Sequence, residues 1–60
     1  MSDYEYELRR AGEVIATGRI QLDDEPAAGE LLELGKQRVR IQDVLFLGLR
    51  RRIVLVELGG

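Results

Sequence analysis

Apolar and polar residues alternate with period two along most of this chain. Tyr4, Tyr6 and Leu8 fall on one face of a first predicted strand, with Glu5, Glu7 and Arg9 on the other. Ala11-Gly12 then supplies a tight reversal, because glycine accepts positive φ. A second strand is predicted from about Glu13 to Leu22. Its inward set is Val14, Ala16, Gly18, Ile20 and Leu22, and Glu13, Thr17, Arg19 and Gln21 face outward. Ile15 breaks the rule as an apolar residue on the outer face. Gly18 in mid-strand predicts a sharp bend or bulge, the device by which a small barrel folds its sheet over itself.

The segment Asp23–Gly35 admits two readings. Asp23, Asp24 and Glu25 before Pro26, with Gly35 after Leu34, are helix start and stop signals, and Ala28, Leu31 and Leu32 would line one side of that helix. Gly29 would sit inside it at a cost of about 1 kcal/mol. The other reading is an acidic loop through Gly29, a short strand Glu30–Leu34 and a Gly35-Lys36 turn. The clear sheet pattern that follows favours the strand. From Gln37 onward Val39 and Ile41 alternate with Arg38, Arg40 and Gln42. The parity slips by one near Gln42-Asp43, which predicts a bulge before Val44-Leu45-Phe46-Leu47. Gly48-Leu49-Arg50-Arg51 reads as the next turn. A last strand, Arg52–Leu58, sets Val54, Val56 and Leu58 against Ile53 and Leu55, and Gly59-Gly60 reads as a flexible tail.

Two segments, Val44–Leu47 and Ile53–Val56, are therefore apolar on both faces. One face builds the core, with Phe46 expected in it. The other needs cover from a loop, a short helix or a second chain, and Leu45, Leu47, Leu49, Ile53 and Leu55 are the candidate interface. Size points the same way. A single domain of 60 residues buries about 5,900 Å² on folding, worth roughly 90 kcal/mol of apolar transfer. Ordering the chain costs nearly the same, at about 1.5 kcal/mol per residue. The monomer is marginal, and a homodimer or another protein partner is the expected source of extra stability.

Charge is divided along the chain. Residues 1–30 carry a net of −5 and residues 31–60 a net of +3, within a total of −2. The simplest account sets acidic and basic strands side by side in the sheet, where they neutralise each other. Eight of the nine cations are arginine, a bias that a GC-rich coding sequence explains without selection for phosphate. Arg50, Arg51 and Arg52 with Arg38 and Arg40 are the candidate anion or nucleic-acid patch. Its aromatic half is weak and the net charge opposes it, so nucleic acid is the lesser partner reading.

Catalysis lacks its usual parts. The chain has no Cys and no His, and Ser2 and Thr17 are its only aliphatic hydroxyls. Asp23-Asp24-Glu25 offers hard oxygens, but adjacent residues on an extended chain point apart, so no metal or other cofactor is expected there. The expectation is a non-enzyme. No apolar run approaches a membrane span or a signal-peptide core, which predicts a cytoplasmic protein without a membrane partner.

Two resemblances bear on this reading. Gly12-Glu13-Val14, Thr17-Gly18-Arg19-Ile20, Gly29-Glu30-Leu31-Leu32, Val39-Arg40-Ile41 and Asp43-Val44 resemble the second, β-barrel domain of translation GTPases. They also resemble stand-alone SH3-like barrels of bacterial proteins. The resemblance covers about residues 13–47 and implies an all-β fold, a small, strongly bent, five-stranded SH3-like barrel. It brings no GTPase part with it. The terminal Gly59-Gly60 is similar to the free diglycine of ubiquitin-like sulfur carriers, whose carboxylate is adenylated and converted to a thiocarboxylate. That second resemblance implies an α+β β-grasp fold and requires the helix reading of residues 24–34.

Overall fold

The computed structural model describes residues 2–58, and every regular element among them is a strand. The chain runs β1 (Ser2–Arg10), β2 (Glu13–Leu22), β3 (Leu31–Leu34), β4 (Gln37–Leu47) and β5 (Arg50–Glu57). They form one sheet in the order β2-β1-β5-β4-β3, strongly curled into a half-barrel. Neighbours pair antiparallel except β1 and β5, the first and last strands, which lie parallel at the centre.

That central position explains the two-faced apolar pattern of the last strand. Ile53, Val54 and Leu55 are consecutive and all buried, with a strand on each side of β5 and Val54 buried on the convex face. Ile53 and Leu55 point into the concave side, where Tyr4, Leu8, Val39 and Ile41 complete the core. Leu8, Leu55 and Ile41 lie directly opposite one another across β1, β5 and β4, a single apolar row through the middle of the sheet. The sequence parity assigned Val54, Val56 and Leu58 to the core and Ile53 and Leu55 to the outside. The faces are the other way round, because β5 is registered by Leu8 and Ile41, both core residues.

The segment after β2 is a loop. Gly29 has φ +96°, a conformation foreign to a helix interior, and the Gly29 N–H donates to the Ile41 carbonyl at 2.7 Å. The Ile41 N–H donates in turn to the Glu30 carbonyl at 2.8 Å. The backbone of residues 29–30 thus continues the pairing of β3 on β4, and a helix over residues 24–34 would forfeit it. Pro26 is the one buried residue of the loop.

Bulges set the curl. Ile15 has no partner where Leu8 pairs with Ala16 and Arg9 with Val14, and the shift takes Val14 out of the inward set. The irregularity of β2 therefore lies at Val14-Ile15 and not at Gly18, which pairs regularly with Tyr6. In β4 the extra residue is Gln42, as the parity slip predicts, and Asp43 accepts a hydrogen bond from the Val44 N–H at 2.9 Å.

The β1–β2 reversal places both central residues at positive φ, Ala11 at 51° and Gly12 at 82°, as a type I′ turn requires. Alanine is a poor occupant of that conformation, and asparagine is a favoured one. Ala11→Asn is expected to stabilise the fold by about 0.5–1 kcal/mol, raising Tm by about 2–8 °C in thermal unfolding. An unchanged or lower Tm would contradict this turn geometry.

Candidate interaction surface

Among the described residues, four ion-pair contacts tie charges together within β1 and between β1 and β5. Arg52 stands opposite Glu5 in the parallel register, its guanidinium 3.2 Å from the Glu5 carboxylate and 4.0 Å from that of Glu7. Arg9 pairs with Glu7 at 3.1 Å, and Arg10 reaches Glu57 at 2.7 Å. Arg52 thus sets a cation of the last strand against acids of the first, while the Arg10–Glu57 pair runs the other way. Each pair is partly exposed and contributes little to stability, but opposite charges at this register favour the parallel alignment.

The candidate basic patch is not one surface. Arg52 is committed to Glu5 and Glu7. Arg40 pairs with Val56, four residues further along β5, and Arg38 with Glu33 of β3, so both lie towards the other end of the sheet, about 13–20 Å from Arg52 at strand rise. All three arginines of the run belong to β5, and the turn itself is only Gly48-Leu49. Arg50 and Arg51 remain. Neither has a carboxylate within 4.0 Å among the described residues, and the Arg51 guanidinium lies 5.4 Å from the Tyr4 ring centroid.

Those two arginines stand at the base of an apolar tip. Gly48, at φ +66°, holds the first position of a two-residue reversal between β4 and β5. The reversal leaves Leu49 wholly in solvent, at 103% exposure. Leu47 is 54% and Phe46 63% exposed. Of the five candidate interface residues, Leu47 and Leu49 thus lie at the surface and Leu45 is half-buried. Ile53 and Leu55 are enclosed in the core, beyond reach of any partner. Phe46, expected in the core, shares the concave side with Val44, but β4 has by then run past the packed centre of the sheet.

A second feature escaped the sequence. The loop from Asp23 to Glu30 borders a cavity of about 240 Å³ at the open side of the half-barrel. Leu22, Leu32 and Ile41 give it apolar walls, and Asp23, Asp24 and Glu30 give it an acidic rim with no basic residue among its lining. Only the pairing of residues 29–30 onto β4 brings these positions together, and no spacing in the sequence announces it. Asp23, Asp24 and Glu25 are exposed, and among the described residues no three acidic side chains converge as metal ligands would. Two further hollows, of about 530 and 220 Å³, lie along β1 and mix Glu5 with Arg19 and other arginines, so neither presents one sign of charge. The diglycine lies outside the described residues, and the helix that its resemblance to sulfur carriers requires is replaced by the loop and β3.

Comparison with protein-family models, with curated proteins and with solved structures finds no match to this chain.

Proposed function

We propose that this chain is a non-catalytic interaction module that self-associates, with the tip of the β4–β5 hairpin as its principal contact surface. The observation that carries this reading is the exposure of Leu47 and Leu49 at a single reversal, with Phe46 exposed on the concave side of the same strand end. A two-residue turn needs no large apolar side chain, and large apolar side chains left exposed around one hairpin end are the pattern of a contact surface. The total accessible area supports it. The chain exposes 4488 Å², against about 4,000 Å² for a closed monomer of this mass. An open half-barrel leaves about 500 Å² more in solvent than a closed domain of this mass.

Sedimentation equilibrium across low-micromolar to high-micromolar concentrations tests the reading. A mass rising from monomer towards dimer is expected. Leu49→Ser should weaken association about 10- to 100-fold, the range for losing one fully buried leucine contact. A monomer mass throughout would rule self-association out.

A second reading, weak binding of single-stranded nucleic acid, draws support from the exposed Phe46 directly opposite Arg51, since one aromatic face and adjacent cations are the elements of a stacking platform. It leaves Leu47 and Leu49 without a role. Binding that is absent at 50 mM salt, or that survives Arg50→Ala/Arg51→Ala unchanged, would remove it.

A further inference from the structure

We infer that the mate of the hairpin tip is the acid-rimmed cavity of a second copy of this chain, an assignment that rests on the self-association proposed above. The two surfaces are complementary in both respects that matter. The tip is apolar at its end, through Leu47 and Leu49, and cationic at its base, through Arg50 and Arg51, which have no carboxylate partner among the described residues. The cavity is apolar in its walls, through Leu22, Leu32 and Ile41, and anionic at its rim. Its Asp23, Asp24 and Glu30 are equally without a cation among the described residues. Apolar side chains would meet apolar walls, and Arg50, with Arg51 beside it over the Tyr4 ring, would meet three carboxylates that have no cation among the described residues.

Other occupants fit less well. An anionic membrane or a nucleic acid would satisfy the arginines but not the acidic rim, and the net charge of −2 opposes both. A basic peptide would suit the rim but leave the apolar tip bare. A second copy satisfies both surfaces at once. The hairpin does not fill its own cavity, since Leu49 is wholly exposed.

The topology allows the exchange to be mutual. Ser2 at the start of β1 pairs with Leu22, and β1 runs parallel to β5, so the Leu22–Asp24 corner of the cavity and the tip before Arg50 lie at the same end of the sheet. Two chains meeting end to end about a two-fold axis bring each tip to the other's cavity and close as a dimer. The contact is then made twice, doubling the area buried.

Charge exchange between two variants tests the assignment. Arg50→Glu/Arg51→Glu gives a chain whose tip and rim are both acidic, and Asp23→Lys/Asp24→Lys gives one in which both are basic. All four positions are exposed, so both variants should retain the wild-type circular dichroism spectrum. Each alone is expected to associate at least 100-fold more weakly than wild type. Their equimolar mixture should form a heterodimer, because both of its contacts are again between opposite charges, and raising the salt concentration should weaken it. The fourfold variant carrying all the changes should recover the homodimer. If wild type dimerises and is weakened by Leu49→Ser but is indifferent to the Asp23/Asp24 exchange, the cavity is not the mate, and self-association through the tip still stands. A monomer under all conditions overturns both. Should either charge-reversed chain fail to fold, Asp23→Asn/Asp24→Asn and Arg50→Gln/Arg51→Gln serve instead. Each is expected to loosen the dimer severalfold, and unchanged association in both would overturn the assignment.

Discussion

Leu55→Glu is expected to abolish folding, leaving a chain with a disordered circular dichroism spectrum and no cooperative thermal transition. Leu55 is completely enclosed, with Leu8 on one side and Ile41 on the other in the same row of the sheet. Removing a buried leucine down to its Cβ costs about 2–5 kcal/mol. The glutamate adds a carboxyl group in a core that holds no buried polar or charged residue among the described residues to receive it, and the group would be driven to its neutral form and still lack a partner. A domain of this length holds only about 3–5 kcal/mol of net stability, so the loss exceeds what is there. Leu49→Glu is the control. Fully exposed on the turn, it should leave the spectrum unchanged and act only on association, lowering Tm by no more than the stability that association contributes. A folded, monomeric Leu55→Glu chain would instead mean that Leu55 lies on an interface and that the two faces of β5 are exchanged.

The exchange of faces marks where the sequence stops being informative. Alternation in Tyr4, Tyr6 and Leu8 is unambiguous because their neighbours are charged, and β1 lies as the pattern predicts. In Ile53–Val56 every position is apolar, so parity carries no information. The choice of inner face then depends on which strands flank β5. That depends on a parallel pairing between the two ends of the chain, for which a period-two pattern holds no cue beyond Glu5 opposite Arg52. The bulge at Gln42 was legible, since a charged residue follows where an apolar one is due. The bulge at Val14-Ile15 was not, since both residues are apolar and either could point inward. The loop over residues 23–30 carried true helix-start signals, overridden by the hydrogen bonds of Gly29 and Glu30 with Ile41. The candidate surface divides in the same way. Leu47 and Leu49 are visible as apolar residues beside a turn, whereas the cavity exists only once residues 22, 32 and 41 are brought together by the curl.

Gly18 supplies the other large expected effect. A Cβ at this position would lie 2.9 Å from both Cε2 and Oη of Tyr6, whose ring leans across the glycine from the directly opposing position of β1. Two effects of opposite sign meet in Gly18→Val. Valine suits a strand better than glycine, by up to about 1 kcal/mol, and it removes freedom from the unfolded chain. Against this, the ring must leave its place against the core cluster, and such overpacking costs about 1–3 kcal/mol. The branched side chain adds two methyl groups beyond the Cβ that already collides, so the steric term wins. Thermal unfolding should show Tm lowered by about 5–15 °C, at 4–8 °C per kcal/mol for a domain of this size. A double-mutant cycle separates the two effects. In a Tyr6→Leu background the ring is gone while an apolar contact with the core remains. Only the strand preference is then left, and Gly18→Val should turn neutral or stabilising. If Gly18→Val costs the same in both backgrounds, the ring is not what the glycine accommodates, and the close approach of Tyr6 has no bearing on why β2 tolerates a residue without a side chain at its midpoint.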